Sequence, residues 1–165
     1  MSRKHAHCGY CGSPYTPEQT WPRLCAGCNE ISYRNPLPVV VTVLPVDDGV
    51  LVIRRTIEPF LGSLALPGGY LDDGESWQAG CARELFEETG VVVPAGEIAL
   101  FRAYSPEPPL GFVMIFGLAQ PRRGLDLPAF TANNECSERV VIATSVELAF
   151  PTHTRVVTEY FEERT

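Results

Sequence analysis

Three glutamates that lie close together in the sequence are the residues best suited to chemistry. Glu84, Glu87 and Glu88 fall within a stretch that runs from Gly69 to Val91. On a helix with about 3.6 residues per turn, the three side chains share one arc of about 100°. Glu84 and Glu88 stand four residues apart, where like charges are slightly destabilising. A bound cation would relieve that repulsion, although a solvated acidic face on an ordinary helix has the same pattern.

The chemistry that such a cluster offers is that of a hard, oxygen-liganded metal site. Grouped carboxylates with a backbone carbonyl nearby are the ligands that Mg²⁺ and Mn²⁺ prefer. An ion of this kind can bridge two phosphates, neutralise developing charge and activate water. The cluster therefore indicates metal-assisted hydrolysis of a phosphate compound.

Local signals predict the elements that would position these carboxylates. Ser76 is a good N-cap and Gly90 is a good residue just past a C-terminus, so a helix is expected between them. Gly68 and Gly69 follow Leu66 and Pro67 and predict a tight turn before the helix. The side of the helix opposite the acids is expected to be buried; it comprises Cys81, Ala82, Leu85 and Phe86.

The whole stretch resembles the signature of the Nudix hydrolases. Every position of the signature matches: the seven fixed residues Gly69, Glu75, Arg83, Glu84, Glu87, Glu88 and Gly90, together with Leu85 and Val91. Because each fixed residue occurs roughly once in 15 positions by average usage, a chance match is remote. The resemblance implies an α/β/α sandwich with a mixed sheet.

The resemblance also implies a role for each acidic residue. Glu87 and Glu88 would be metal ligands, together with the carbonyl oxygen of Gly68. Glu84 would be either a further ligand or the general base that activates the attacking water. Arg83 would orient the glutamates by pairing with Glu75.

A further acid is expected downstream of the signature, because many Nudix enzymes have one that reaches the metal. The segment from Asn133 to Glu138 is the natural place, just before a predicted strand. We select Glu135 and keep Glu138 as the alternative. Both could also be ordinary surface acids.

The first 34 residues carry a second, independent metal signal. Two CxxC pairs, separated by 13 residues, can complete a tetrahedral zinc site with four thiolates and no open position. This pattern predicts a small structural zinc ribbon over residues 1–34, ahead of a Nudix domain over 35–165. His5 and His7 are alternative ligands, and a redox role for one CxxC pair is the competing interpretation. The four predicted ligands are Cys8, Cys11, Cys25 and Cys28.

Composition limits the classes of function that fit. The chain has 165 residues, of which 45% are hydrophobic, and a net charge of −7. Such a charge disfavours non-specific binding to nucleic acid, which depends on Lys and Arg. The sequence shows no transmembrane run and no apolar signal region, so a cytoplasmic protein without a membrane partner is expected.

The rest of the chain supplies the sheet, a closing helix and candidate aromatic contacts. Phe101, Tyr104 and Phe112 are candidates for stacking on a base, although aromatic residues more often fill cores. Arg54 and Arg55 could meet a phosphate or face solvent. Apolar runs predict strands at 38–46, 50–55, 64–66, 98–104, 112–119 and 139–143, a stiff proline-rich loop at 105–111, and a helix at 153–164.

These observations favour Mg²⁺- or Mn²⁺-dependent hydrolysis of a nucleoside diphosphate linked to another moiety, of the FAD, ADP-ribose or NADH class. A zinc ribbon before the signature resembles NADH pyrophosphatases and FAD pyrophosphatases. Tyr104-Ser105-Pro106-Glu107 stands where the NADH enzymes have Ser-Gln-Pro-Trp, which argues against NADH. The alternative is a nucleotide-sensing module whose ribbon contacts protein or RNA. The resemblance also allows a homodimer, on which the sequence itself is silent.

Overall fold

The two cysteine pairs flank a short hairpin near the start of the chain. In the computed structural model, which describes residues 4–107 and 111–164, β1 (Arg23–Leu24) pairs antiparallel with β2 (Ile31–Ser32). The chain divides into two compact units, Met1–Pro36 and Leu37–Thr165. The boundary after residue 34, between the predicted zinc ribbon and the predicted Nudix domain, stays a prediction. The buried cluster of the first unit consists of Cys8, Tyr15 and Cys25.

The second unit holds eight further strands and two α-helices among its described residues. Two short 3₁₀ turns lie at Ala95–Glu97 and Gly124–Asp126. In chain order the elements are β3 (Leu37–Val43), β4 (Pro45–Val46), β5 (Gly49–Arg55), β6 (Leu64–Ala65), β7 (Gly68–Tyr70), α1 (Trp77–Thr89), β8 (Ile98–Tyr104), β9 (Phe112–Ala119), β10 (Cys136–Ile142) and α2 (Pro151–Glu162).

These strands form two sheets. The first has the order β7-β3-β9-β8 and is mixed, because β3 runs parallel to β9 while the other neighbours are antiparallel. The second has the order β10-β5-β4, with β6 also paired to β5, and all its pairings are antiparallel. Strand β7 is therefore an edge strand of the mixed sheet.

Strand β3 separates two packed cores, because successive side chains of a strand point to opposite faces. Val40 packs in a core with Cys81 and Leu85 of α1. Val41 and Val43 pack in the other core with α2, whose buried residues include His153, Val156, Val157 and Tyr160. A helix covers each face, which confirms the predicted α/β/α arrangement with a mixed sheet.

Several predicted boundaries differ from the observed ones. The apolar run 38–46 is broken after Val43 into β3 and β4, and β10 begins at Cys136 rather than 139. Helix α2 begins at Pro151, because proline is well tolerated in the first turn, where its missing N–H is not needed. Residues 108–110 of the predicted proline-rich loop lie outside the described residues. Among 4–107 and 111–164, no helix has the length and apolarity to cross a membrane.

Candidate functional site

Helix α1 holds the three glutamates and has the predicted ends. The Ser76 hydroxyl accepts the Ala79 N–H at 3.2 Å, and Gly90 ends the helix at φ 72°, a left-handed conformation that glycine adopts without strain. The buried side differs from the prediction at Phe86, which is 53% exposed. Cys81 and Leu85 are fully buried, as expected.

The acidic side of α1 is not an ordinary solvated face. Glu84 and Glu88 are 8% and 4% exposed, whereas the Glu87 side chain is 54% exposed. Charged groups are rarely buried to this degree unless they are paired or bind a metal. The burial of Glu84 and Glu88 therefore favours a functional site over a solubilising surface.

Arg83 gathers the acids around one guanidinium group. Its Nη2 and Nε donate to the two oxygens of Glu75 at 2.6 and 3.2 Å, which is the pairing predicted from the sequence. Its Nη1 donates to Glu84 at 2.8 Å and to Glu87 at 3.1 Å. A further donation from Nη2 to the Tyr70 carbonyl, at 3.0 Å, ties α1 to β7. The paired Glu75, which is partly buried, has its pKa lowered by the Arg83 hydrogen bonds.

The two glycines before the helix lie in β7 and do not form the tight turn that was expected. They pair with β3, opposite Val41 and Val40. A Cβ on Gly68 would lie 2.3 Å from the Val40 carbonyl oxygen, and one on Gly69 would lie 2.6 Å from the Glu84 carboxylate. The backbone approaches too closely for a side chain at residue 68, and a side chain at residue 69 would have to displace the Glu84 carboxylate.

Burial and neighbouring charge set the protonation of the acids. Desolvation raises the pKa of Glu88 to about 8, although the Gly68 N–H, which donates to it at 2.8 Å, acts in the opposite direction. Desolvation also raises the pKa of Glu84, against the opposing effect of Arg83. The charge of Glu135 adds to the rise at both residues. The ionised carboxylates of Glu84, Glu88 and Glu135 therefore repel one another.

The structure brings Glu135, but not Glu138, to the acidic end of α1. A cavity of 240 Å³ is lined by Glu87, Glu88 and the segment Asn133–Glu135. The Asn133 amide donates to the Glu87 carbonyl at 2.9 Å and so joins this segment to α1. Glu138 lies within β10 and pairs with Arg54.

This donor set suits a hard cation. Carboxylates from Glu87, Glu88 and Glu135 line the 240 Å³ cavity, and Glu88 lies beside the Gly68 backbone. Among the described residues, however, only the four N-terminal cysteines are grouped closely enough to hold a metal ion. Their sulfur atoms all lie within 4.8 Å of one another. Glu87 is held instead by Arg83 and Glu88 by the Gly68 N–H, and a cation would have to draw the carboxylates together.

A second and larger cavity, of 510 Å³, adjoins the same glycines. Its walls are mostly apolar and come from β3, β7, β9, the segment after β5 and the start of α2, together with Arg55 of β5 and with Pro106 and Glu107 after β8. Of the three predicted stacking residues, only Phe112 lines it, whereas Phe101 packs on Tyr160 and Tyr104 donates to Glu159. Sequence reasoning missed the other aromatic residues of this cavity, Phe60, Tyr70 and Phe150.

The four N-terminal cysteines meet in the first unit as predicted. The Sγ atoms of Cys8 and Cys28 are 3.7 Å apart, and those of Cys11 and Cys25 are 3.5 Å apart. Tetrahedral zinc with bonds of about 2.3 Å places its sulfurs about 3.8 Å apart, so the geometry fits. All four thiols are free of disulfides, and no histidine belongs to the described cluster.

Backbone amides also prepare this sulfur cluster for a cation. The N–H groups of Tyr10 and Gly27 donate to Cys8 and Cys25, each at 3.4 Å. Hydrogen bonding from the backbone at Cys11, the largest effect, lowers the pKa of the Cys8 thiol to about 6. Amides that favour a thiolate favour a metal ligand, because thiolates and not thiols bind zinc.

Comparisons with known proteins agree with this geometry. The sequence-family model of the NUDIX domain matches residues 36–143 of this chain. The NAD-capped RNA hydrolase NudC of Salmonella heidelberg (strain SL476) is 34% identical over 92 residues, which are 55% of this chain but only 35% of that protein's length.

Two solved structures extend the comparison. A NUDIX hydrolase from Nitrosomonas europaea superposes with a TM-score of 0.77 at 28% identity, over 96% of this chain and 91% of that one. The NUDIX domain of Shewanella oneidensis NrtR, solved with ADP ribose, gives a TM-score of 0.65 at 26% identity, over 81% and 91%.

Proposed function

Because the chain belongs to the Nudix domain family, we propose that it is a divalent-metal-dependent diphosphatase. Its substrate is a nucleoside diphosphate linked to a second moiety, and the product is a nucleoside monophosphate. One observation supports this most: Glu84 and Glu88 are buried on α1, and Glu135 joins the cavity lined by Glu88 from a distant segment. Buried acids serve the fold poorly unless they have a chemical role.

Each residue of the site has a distinct role in this proposal. Glu87, Glu88 and the Gly68 carbonyl would hold Mg²⁺ or Mn²⁺, with Glu135 as a further ligand. The bound cation would supply charge neutralisation at the diphosphate and a more acidic water. The Gly68 N–H fixes the Glu88 carboxylate, and Arg83 fixes Glu84.

The reaction is a substitution at phosphorus. A water oxygen forms a bond to one phosphorus while the bond from that phosphorus to the bridging oxygen breaks. The second phosphate leaves with the electron pair, and Glu84 accepts the proton from water. The raised pKa of Glu84 brings it closer to neutral pH, which suits a general base.

The substrate class draws on the relatives. One is a hydrolase of NAD-capped RNA by name, and another is a domain solved with ADP ribose. Both ligands contain a diphosphate between nucleoside or sugar units. We therefore include NADH, FAD and ADP-ribose among the candidate substrates. NADH is the least favoured of the three, because residues 104–107 do not match the Ser-Gln-Pro-Trp segment of the NADH enzymes.

Product analysis with purified protein, Mg²⁺ and a panel of dinucleotides tests the proposal. Turnover of FAD or ADP-ribose should release AMP, and Glu87→Gln should abolish it because a metal ligand is lost. Glu138→Gln is the matched control, since Glu138 pairs with Arg54 away from the cavity. Full activity of Glu87→Gln would overturn the site. Tight nucleotide binding without turnover would instead support the sensing module.

We also propose that Cys8, Cys11, Cys25 and Cys28 hold one structural zinc. The support is the spacing of their sulfurs. Native mass spectrometry should show one zinc per chain, and disulfides among these four cysteines in freshly isolated protein would contradict it. A homodimer and a cytoplasmic location remain predictions from the sequence.

A further inference from the structure

The segment Asn133–Glu135 lines the 240 Å³ cavity, and the inference from its contacts rests on the proposed function. All three residues are exposed, and they lie between elements, just before β10. An exposed segment buries little apolar surface, so only specific bonds can hold it in one place. The position of the Glu135 carboxylate relative to Glu88 therefore depends on those bonds.

The Asn133 side chain forms hydrogen bonds in two directions. Its amide nitrogen donates to the Glu87 carbonyl of α1 at 2.9 Å. Its Oδ1 accepts the backbone N–H groups of Glu135 and Cys136, each at 2.9 Å. An asparagine that accepts from the backbone two residues further on closes a local turn. One side chain therefore joins the backbone of Glu135 to the backbone of the helix that carries the other acids.

The bond to Glu87 also satisfies the end of α1. The last four carbonyl groups of a helix have no partner within that helix. In α1 the Glu87 carbonyl accepts from Asn133, and the Thr89 carbonyl accepts from Nη1 of Arg139 at 2.8 Å. Both donors lie close to Glu135 in the sequence. The last turn of the helix and the segment with the downstream acid therefore stabilise each other's position.

Thr56, directly after β5, holds the other side of the segment. Its hydroxyl donates to the Asn134 carbonyl at 2.6 Å, and its N–H donates to the Glu135 carbonyl at 3.0 Å. The Glu135 backbone is thus held from two directions. Among residues 4–107 and 111–164, however, no group donates a hydrogen bond to its carboxylate. A held backbone with an unoccupied carboxylate at the cavity suits a cation ligand.

The segment has a separate apolar attachment that does not involve Asn133. Phe130 packs against the buried cluster that includes Cys136 and Ala149. Arg139 donates to the Pro128 carbonyl at 2.6 Å. These contacts would keep the segment on the protein if the Asn133 side chain were removed. The contribution of Asn133 is therefore the exact place of Glu135 and not the attachment of the segment.

We propose that Asn133 is a positioning residue, which holds Glu135 so that its carboxylate and that of Glu88 bind the same divalent cation. Asn133 is not itself a ligand in this arrangement, because its oxygen and its nitrogen are both engaged with the backbone. Loss of its side chain should weaken the cation by releasing Glu135. Partners that orient metal ligands typically account for about 10- to 100-fold in metal affinity.

Binding of Mn²⁺ without a nucleotide tests this role independently of turnover, and the electron paramagnetic resonance signal of free Mn²⁺ gives the dissociation constant. Asn133→Ala should weaken Mn²⁺ by about tenfold. Asn133→Ser should do the same, because its hydroxyl can accept from the backbone but is too short to replace the bond to the Glu87 carbonyl. Thr131→Ala, at an exposed position of the same segment outside the cavity, is the matched control and should bind Mn²⁺ normally.

A double-mutant cycle with Glu135→Gln separates positioning from a general loss of structure. Glu135→Gln alone should weaken Mn²⁺ by about tenfold or more, because a ligand is lost. Adding Asn133→Ala to that variant should change the affinity by less than about twofold, because no carboxylate remains to be positioned. A merely structural role would instead give a further loss of about tenfold in the double variant.

Several outcomes would overturn this inference. Normal Mn²⁺ binding by Asn133→Ala or Asn133→Ser, a further tenfold loss in the double variant, or undetectable binding to the wild-type protein would each do so. Turnover is measured separately. The expected Mn²⁺ pattern in a protein that hydrolyses nothing would keep the role of Asn133 and overturn the proposed function. Turnover together with independent effects of the two substitutions would keep the proposed function and overturn the role of Asn133.

Discussion

At the scale of single residues, Glu88 has the most unusual environment among the proposed ligands. Its carboxyl is buried, and the facing charges are those of Glu84 and Glu135, which raise its pKa, and of Arg55, which lowers it. The folded-state pKa of about 8 stands above the usual value of 4.5. The metal-free protein therefore keeps Glu88 protonated at neutral pH, and a metal ion must displace that proton.

We expect Mg²⁺ binding to release up to one proton from Glu88 at pH 7 and to tighten as pH rises toward about 8. Calorimetry in two buffers with different ionisation enthalpies measures the proton count. Glu88→Gln should abolish both the release and the pH dependence. Heats that do not depend on the buffer at pH 7 would contradict the assignment.

The same pKa predicts how stability depends on pH. A carboxyl whose folded-state pKa is raised binds its proton more tightly in the folded protein. Its stabilising contribution is complete below 4.5 and is lost as pH rises through about 8. Denaturant unfolding of metal-free protein at pH 5 and pH 9 should show this loss, and Glu88→Gln should reduce it. If the wild-type protein and Glu88→Gln lost the same stability between pH 5 and pH 9, the loss would arise from groups other than Glu88.

Arg83 is the residue on which the arrangement of acids depends most. Its planar guanidinium binds Glu75 through two parallel hydrogen bonds, which lysine cannot reproduce. Arg83→Lys should therefore lower metal affinity or activity by roughly 10- to 100-fold. Arg123→Lys, which changes an exposed pair with Asp126, is the control and should leave both unchanged. Equal effects of the two substitutions would show that positive charge alone matters.

At the scale of elements, the contact between β7 and α1 sets the position of Glu84. The Glu84 carboxylate lies where a side chain at residue 69 would be, so any larger residue there must displace it. This close approach explains why a loop signal in the sequence belongs to a strand. A Gly-Gly pair has the same local preference in a turn and in a crowded edge strand, and only tertiary contacts distinguish them.

Gly69→Ala should displace the Glu84 carboxylate and reduce kcat by roughly 10²-fold, as expected for misplacement by about 1 Å. Because the displaced atoms are the end of a flexible side chain, the melting temperature should change little. Gly96→Ala is the control, since a Cβ there meets nothing within 4 Å. A kcat for Gly69→Ala equal to that of the control would contradict this positioning role.

Sequence patterns predicted the elements well where local chemistry is decisive. The Ser76 cap and the Gly90 terminus set α1, and dense apolar runs set β8 and β9 at the predicted residues. The predictions that failed concern residues whose environment depends on contacts with parts of the chain that are distant in sequence. Phe86 has helical spacing for burial but points away from the core, and Phe60 becomes part of a cavity only because Arg54 and Arg55 hold its loop.

At the scale of the whole molecule, the two units differ in what stabilises them. The unit Leu37–Thr165 has extensive apolar cores around β3, whereas the buried cluster of Met1–Pro36 is two cysteines and Tyr15. A small unit with so little apolar burial would depend on the proposed zinc for folding. The stabilities of the two units should therefore respond differently to zinc.

Cys25→Ser should unfold the described part of the first unit while the second unit retains its cores. Hydrogen exchange followed by mass spectrometry can resolve the two, with loss of protection confined to residues 4–36. Cys81→Ser is unsuitable as a control because Cys81 is buried in a core, so Glu18→Gln, at an exposed position of the first unit, serves instead. Protection of the first unit in Cys25→Ser would overturn the dependence on zinc.

The alternation of side chains along β3 also has a consequence for how new activities could arise. Residues on one face of this strand support the acids of α1, and residues on the other face line the aromatic cavity. Laboratory evolution could therefore randomise the cavity face to change which compounds are accepted, while the bond-breaking machinery on the opposite face stays intact. Substrate selection and catalysis would then be altered independently, because each depends on a different face of β3. This separation makes the chain a suitable scaffold for altering substrate choice.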